Sequence, residues 1–327
     1  VRAEAGVIGE VLERALNAAG FTLGHFPSSI YCSTVGGWVA TRSAGQYSTR
    51  YGKIEDMVLG VEFVDGTGAI YDTGAWDSAD DRIRLTPLIV GSEGILGVVT
   101  AARLKIHPLP ESKKFRGVMM PGVAEGLSLI QTLMQSGPAP LVLRMYDPFD
   151  TFMCGLANAE EDSSIPTGFR SWFKNSVSQL PKSAHTLMHD AERAAYAFGL
   201  SNSSSLNRII RLTMSSCLLI VGYDGDSGIV DETMERVVEH ANELGGTDLG
   251  EGPGIGWLEK RHKVSFKAAP IYKLGAFVDT MEVATTYDNL HRLYQRVMTA
   301  LSPLAVTMAH FSHAYATGCS IYFTFSA

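Results

Sequence analysis

The stretch at residues 89–100 reads IVGSEGILGVVT and carries a glycine at every third position. A dinucleotide-binding fingerprint needs G-x-G-x-x-G spacing at a strand-to-helix turn, so that the helix N-terminus faces the pyrophosphate. Here the residues after Gly97 alternate as a strand. The pattern therefore excludes a Rossmann phosphate loop. It favours a loop whose backbone approaches a planar ligand, because glycine has no Cβ to hinder that approach. A glycine-rich turn without a ligand is the alternative.

A second candidate ligand loop reads PSSIYCSTVGGWVATRSAG over residues 27–45. Small hydroxyl residues around its glycine pair offer N–H and O–H donors to phosphate or ribityl oxygens. The alternative is a Ser/Thr-rich surface loop, but the apolar residues Val35 and Trp38 favour a buried, ordered segment. The sequence predicts that the whole stretch 25–52 is a loop.

Four side chains in the second half of the chain could do chemistry. Arg144 lies on a predicted strand, and a buried arginine needs a partner because an unpaired charge in a core is costly. Arg144 would have such a partner either in a structural ion pair or in an active site, and both roles stay open. Tyr322, which alternates with apolar neighbours in CSIYFTF, is typical of a core tyrosine. His310 and His313 suggest a metal pair, but residues three apart on a strand face opposite sides, so no metal site is predicted.

The elements that must position these residues follow from periodicity. An amphipathic helix is predicted over residues 8–19, and a β-hairpin over residues 59–71. Beyond a boundary near residues 110–114, strands alternate with helices and the chain ends in a hairpin over residues 306–325. This order favours an α+β architecture, with an antiparallel sheet and helices on one of its faces.

Composition narrows the class of protein. The 327 residues suggest two domains, and the 46% of hydrophobic residues can supply their cores. No apolar run reaches the roughly 18 residues of a membrane span. The net charge of −7 argues against a nucleic-acid partner. The four cysteines lack C-x-x-C spacing, which favours free thiols in a reducing compartment. Both ends lie within predicted strands, so we interpret the chain as a fragment.

Taken together and in order, the motifs resemble flavoenzymes of the vanillyl-alcohol oxidase type. The resemblance is carried by STVGGWVATRSAG, YGKIEDMVLGVEFVDGTG, IVGSEGILGVVTAARLKIHPLPE, LVLRMYD, FVDTMEVATTYDNL and HFSHAYATGCSIYFTF. Within that type the chain is most similar to alkyldihydroxyacetonephosphate synthases, which lie near glycolate and D-lactate dehydrogenases. The resemblance implies part of a two-lobed FAD-binding domain at residues 1–112. A cap domain with an antiparallel sheet would follow at residues 113–327.

The resemblance also assigns the FAD contacts to three loops. The first, a pyrophosphate loop, would precede residue 1, and a later histidine cluster would follow residue 327. The other two loops would supply Ser28, Ser29, Ser33, Thr34, Gly36, Gly37, Thr41, Arg42, Ser43, Ala44, Glu93, Gly94, Ile95, Leu96, Gly97, Val98 and Val99. Relatives commonly have aspartate where this chain has Ser28, which alters one polar contact.

For catalysis, the resemblance implies Tyr322 as the proton donor and acceptor and Arg144 as an arginine near the flavin. His313 would line the pocket. Synthases carry a phosphate-binding arginine at the position of Ala268, beside Lys267. Lys267, Lys273 or Arg261 could replace it, but a lysine lacks the bidentate fork of a guanidinium. The phosphorylated substrate is therefore the weakest part of the resemblance.

The function implied is exchange of the acyl chain of acyl-dihydroxyacetone phosphate for a fatty alcohol, in ether lipid synthesis. An FAD-linked oxidase or dehydrogenase of a 2-hydroxy acid is the alternative, and a flavin-free binding protein is a third hypothesis. The expected partner is a small-molecule or lipid substrate, with no metal and no nucleic acid. The resemblance allows a homodimer and a peripheral membrane contact. It implies a cytoplasmic location in bacteria and a peroxisomal one in eukaryotes.

Overall fold

The computed structural model describes residues 1–75, 84–159, 203–262, 272 and 277–327. The chain forms two compact units. Unit 1 comprises residues 1–113 with 224–227, and unit 2 comprises residues 114–223 with 228–327. Each unit has its own hydrophobic core.

Unit 1 is built on a four-stranded sheet of order β1-β5-β3-β4, in which all neighbours are antiparallel. Its elements are β1 (Arg2–Glu4), α1 (Gly9–Ala18), β2 (Phe21–Thr22), α2 (Val35–Thr41), α3 (Ser48–Tyr51), α4 (Ile54–Met57), β3 (Val58–Val64), β4 (Ile70–Asp72), α5 (Thr86–Ile89), β5 (Val98–Leu104) and β6 (His107–Pro108). The predicted first helix and the β3–β4 hairpin are confirmed. The strand predicted after Gly97 is also confirmed as β5, which upholds the exclusion of a Rossmann loop.

The prediction of a continuous loop over residues 25–52 is wrong. Helix α2 lies inside this stretch, and helix α3 lies at its C-terminal end. Gly36 and Gly37 disfavour a helix locally. However, the Thr34 hydroxyl accepts a hydrogen bond from the Gly37 backbone N–H and so caps the helix. Val35, Trp38 and Val39 are buried on its inner side. Tertiary burial and the cap together override the glycine pair.

Unit 2 is built on a seven-stranded sheet of order β10-β7-β9-β8-β12-β13-β11. Its elements are β7 (Ser112–Met120), α6 (Val123–Gln135), β8 (Val142–Tyr146), α7 (Pro148–Ala159), α8 (Ser203–Thr213), β9 (Cys217–Gly225), α9 (Ser227–Glu243), β10 (Thr247–Asp248), α10 (Gly252–Lys260), β11 (Val278–Thr286), α11 (Tyr287–Leu301), β12 (Val306–Tyr315) and β13 (Gly318–Ser326). Strands β8, β9, β11, β12 and β13 pair antiparallel with their neighbours in this group.

Alternation along each strand gives the unit 2 sheet one core face. Met145, Phe311, Ile321 and Phe323 point to that face, where helices α6, α9 and α11 cover them. The predicted α+β architecture with an antiparallel sheet is thereby confirmed. The sequence pattern did not predict β7. The final strand, β13, lies between β12 and β11.

No helix among the described residues is long and apolar enough to cross a membrane.

Candidate functional site

A row of polar side chains crosses the unit 2 sheet on the face opposite its core. Tyr146 pairs with His310, His310 with Tyr322, and Tyr322 with Glu282. Directly opposed residues of an antiparallel pair share a face. The neighbours of these residues, including Phe311 and Ile321, belong to the core cluster. The row therefore lies on the other face, where Tyr146 is buried, Arg144, His310 and Tyr322 are partly buried and Glu282 is exposed.

Arg144 joins this row because it lies two residues before Tyr146 on β8 and so shares its face. Its Nε donates to the Tyr146 hydroxyl at 2.9 Å, and its Nη2 lies 2.9 Å from His310 Nε2. Burial opposes its charge, but Tyr146 and Asp150 together raise the pKa of Arg144. Its partners are therefore a phenol and an imidazole, and the carboxylate of Asp150 is contacted by His310 instead.

His310 is the centre of the row. Its Nδ1 lies 3.3 Å from Asp150 Oδ2 at the start of α7, and its ring stacks on Tyr322 at 4.8 Å and 17°. Burial, with the charge of Arg144, lowers the pKa of His310 to about 4, although Asp150 opposes this shift. His310 is consequently neutral at physiological pH.

Tyr322 lies on the face opposite the core cluster, where its hydroxyl makes an exposed hydrogen bond, and is not a core tyrosine. The hydroxyl donates to Thr280 Oγ1 at 3.0 Å. Next to it, Ser320 Oγ donates to Glu282 Oε1 at 2.8 Å. The Tyr322 phenol is bonded to one neutral hydroxyl and can exchange that partner for a substrate oxygen. The exchange costs little free energy, because one hydrogen bond replaces another.

Of the other two sequence-predicted residues of unit 2, only His313 is described by the structure, and it is not in this row. His313 lies where the β12–β13 register shifts between Phe311 and Ala314, so strict alternation does not apply to it. Lys267 lies outside the described residues. Within the part of the chain that the structure describes, no group of three or more His, Cys, Asp or Glu side chains could hold a metal ion.

Sequence reasoning missed Tyr146 and Asp150 as site residues and considered His310 only as a metal ligand. Alternation in LVLRMYD already places Tyr146 on the face of Arg144. The positions of His310 and Asp150 depend on which strands are neighbours and on their register, for which no local signal exists.

In unit 1, the two candidate ligand loops are fastened to each other. The backbone N–H groups of Gly91 and Glu93 donate to the carbonyls of Val39 and Ala40, both at 2.9 Å. Arg42 Nε donates to a carbonyl of the other loop, that of Val90, at 3.1 Å. The structure therefore joins two segments about fifty residues apart in sequence into one continuous surface.

Several predicted cofactor contacts also bond within the protein. Trp38 Nε1 donates to Ser33 Oγ at 2.8 Å, and the Thr41 hydroxyl donates to the carbonyl of Gly37 at 2.9 Å. Gln46 donates to Ser28 Oγ at 3.3 Å, and Ser43 Oγ lies 3.1 Å from His25 Nε2. Ser29 and Ala44 are exposed. These bonds fix the loop, and each hydroxyl keeps acceptor capacity for a ligand.

The glycines of the two loops differ in what surrounds them. A Cβ at Gly36 would press on Ala5, and a Cβ at Gly97 would collide with the carbonyl oxygen of Val64, so both are required for packing. Gly94 has φ +82°, and apart from its chain neighbours no atom of the described residues lies within 4 Å of the position of its Cβ. Of these three, only Gly94 leaves its backbone open to a ligand.

The surface beside Gly94 fits a planar, largely apolar group. Ile95 is 85% exposed and Val98 is 69% exposed, with Leu96 also exposed. Apolar side chains gathered around an open glycine mark a surface that a ligand or partner covers. Together with the hydroxyl-rich loop, this surface matches an isoalloxazine ring with a polar tail, so the residues present fit FAD.

Unit 1 is expected to lose stability in acid through His25, which is 1% exposed and packs on Trp38 at 4.6 Å. Burial lowers its pKa to about 4, and its Nδ1 has no partner among the described residues. An unfolded histidine titrates near pH 6.5. The unfolded chain therefore binds the proton first, so stability is complete above about pH 6.5 and falls as the pH drops towards 4.

Denaturant unfolding of wild type and His25→Gln at about pH 7 and pH 5 measures this effect. The variant should lose less stability between the two values than wild type. His291→Gln, which alters an exposed histidine of α11, should keep the wild-type dependence. Equal losses in His25→Gln and wild type would exclude His25 as the source.

Comparison with known proteins identifies the class to which these sites belong. Residues 109–327 match the family model described as FAD linked oxidases, C-terminal domain. Residues 1–74 match the model described as FAD binding domain. The chain therefore belongs to the FAD-linked oxidase family, and the expected cofactor, FAD, is confirmed.

Individual relatives narrow the class. The chain is 30% identical to the alkyldihydroxyacetonephosphate synthase of Dictyostelium discoideum, over 99% of this chain and 49% of the relative. It is 34% identical to the glycolate oxidase subunit GlcD of Bacillus subtilis, over 78% of this chain and 66% of that relative. A solved alkyldihydroxyacetonephosphate synthase superposes with a TM-score of 0.74 at 27% identity, covering 100% of this chain and 57% of that structure. The chain thus spans about half the length of the synthases it matches.

Proposed function

We propose that the protein is an FAD-dependent enzyme of the alkyldihydroxyacetonephosphate synthase type. It would exchange the acyl chain of acyl-dihydroxyacetone phosphate for a long-chain alcohol. The observation that carries this proposal is the polar row of unit 2, with Arg144 and Tyr322 on the face away from the core. The relatives matched over nearly the whole chain support it.

The loops of unit 1 would hold FAD, which supplies the electrophilic, redox-active ring of the reaction when bound. Gly94 and the exposed Ile95 and Val98 would lie against the ring, and the hydroxyls of Ser33 and Thr34 would face its polar tail. The contacts with the ring depend on the open backbone at Gly94. The contacts with the polar tail depend on hydroxyl groups that accept as well as donate hydrogen bonds.

The polar row would supply charge and a proton. Tyr322 would act as a proton shuttle: its hydroxyl, which exchanges Thr280 for a substrate oxygen, would give its proton to the substrate, and the resulting phenolate would take a proton back. Arg144 would stabilise negative charge that develops on the substrate, because it keeps a full positive charge between two neutral partners. Lys267 remains our proposal for the residue that meets the substrate phosphate.

Product analysis tests the proposed reaction. The full-length protein with FAD is expected to form an ether lipid from acyl-dihydroxyacetone phosphate and a long-chain alcohol, with release of the fatty acid. Glycolate or D-lactate should not bleach the flavin absorbance in the absence of oxygen. Bleaching by a 2-hydroxy acid without ether formation would contradict the synthase assignment and favour the oxidase alternative, which the match to the glycolate oxidase subunit supports.

A further inference from the structure

The hydrogen bonds around His310 determine which of its ring nitrogens carries the proton. A guanidinium group has donors only. The nitrogen that lies 2.9 Å from Arg144 Nη2, His310 Nε2, must therefore accept through its lone pair. The proton of the neutral ring is then on Nδ1, which lies 3.3 Å from Asp150 Oδ2.

Asp150 is itself held in place. It is 8% exposed, and its backbone N–H donates to Asp147 Oδ1 at 2.8 Å at the start of α7. The other carboxylate oxygen of Asp147 accepts from the backbone N–H of Ala309 at 3.0 Å and from the Tyr294 hydroxyl at 3.1 Å. Asp147 thus ties the start of α7 to β12, which sets Asp150 beside His310.

We propose that Asp150 and His310 form a positioning pair for the flavin reaction. Asp150 holds His310 as the neutral Nδ1–H tautomer, and His310 in turn fixes the guanidinium of Arg144 and supports the ring of Tyr322. The role in turnover rests on the proposed function, whereas the tautomer rests on the hydrogen bonds alone. Neither residue touches substrate in this proposal.

A second proton on His310 would disrupt the arrangement, because Nε2 would become a donor facing the donors of Arg144. The groups that face the ring are Arg144 and Tyr146 from β8, Asp150 from α7, Glu282 from β11 and Tyr322 from β13, and Cys154 of α7 faces Arg144. Burial and Arg144 disfavour the second proton, and Asp150 and Glu282 favour it. The arrangement is therefore stable at neutral pH and is lost in acid.

Nitrogen-15 NMR of the histidine rings in the FAD-loaded full-length protein tests the tautomer without any turnover. The His310 ring is expected to show a protonated Nδ1 and an unprotonated, hydrogen-bonded Nε2. This pattern should persist in the Asp150→Asn variant, whose amide oxygen still accepts, and weaken in Asp150→Leu. A ring protonated on Nε2, or on both nitrogens at neutral pH, would overturn the proposal, whatever reaction the protein catalyses.

Two variants of His310 test the positioning role. The side chain of His310→Gln can place an amide oxygen where Nε2 accepts from Arg144, whereas that of His310→Asn is too short to reach it. With the flavin content unchanged, kcat of His310→Gln should exceed that of His310→Asn by about 10-fold or more, since a hydrogen bond to a charged group is at stake. His291→Gln should keep wild-type kcat. Equal kcat values in the two His310 variants would overturn the positioning role.

Discussion

Replacement of Tyr322 by phenylalanine should abolish turnover of the flavin enzyme while FAD stays bound. The phenylalanine ring preserves the stack on His310, which has a centroid distance of 4.8 Å, and removes only the hydroxyl bonded to Thr280. A positioned acid–base group contributes about 10²–10⁴-fold to rate, so kcat should fall by that factor. Steady-state kinetics and the flavin content of the purified variant measure the two effects.

Tyr287→Phe is the matched control in the same unit. The hydroxyl of Tyr287 donates to the carbonyl of Tyr315 at 2.7 Å, and burial raises its pKa. Loss of this hydrogen bond should lower the free energy of unfolding by about 1 kcal/mol and leave kcat unchanged. Tyr322→Phe should show the reverse pattern. Full turnover in Tyr322→Phe would remove Tyr322 from the mechanism.

Local periodicity predicted the elements that hold the site. The β12–β13 hairpin follows the hairpin predicted over residues 306–325, and Arg144 lies on strand β8 as predicted. These segments have a clear alternating pattern, and their burial in the fold agrees with it. Agreement between local preference and tertiary packing is what makes such segments predictable.

The error in the 25–52 stretch has a different cause. A glycine pair and many hydroxyl residues favour a loop, but Val35, Trp38 and Val39 gain burial against unit 1 if they form a helix. That gain comes from partners distant in sequence. Local propensity is only a weak prior when such burial is available.

The histidines show why site geometry could not be predicted in full. Strict alternation along a strand would place His310 and His313 on opposite faces. The register shift after Phe311 interrupts that alternation, so spacing alone does not fix the face of His313. His310 becomes central because β8 and β13 both flank β12, which gives it Tyr146 on one side and Tyr322 on the other. Strand order and register are long-range properties, so the resemblance to known families could suggest Arg144 and Tyr322 but not the histidine between them.

Replacement of Gly94 by valine is expected to prevent FAD uptake by the full-length protein. Apart from its chain neighbours, no described residue has an atom within 4 Å of the added Cβ, so the side chain would project into the open space beside Ile95 and Val98. A branched side chain there would keep the ring away from the backbone. The flavin absorbance per chain, after purification and after incubation with excess FAD, measures the loss.

Backbone strain must be separated from this steric effect, because Gly94 has φ +82° and a side chain there costs about 1–2 kcal/mol. Gly20 is a close match: it has the same φ of +82° and an equally open Cβ position, but it lies beyond the end of α1. Gly20→Val should therefore carry a comparable strain and still bind FAD. If both variants took up FAD normally, the 89–100 loop would be a structural turn. If both lost it, strain in unit 1 would explain the loss. Only loss confined to Gly94→Val identifies this backbone as the surface that meets the flavin.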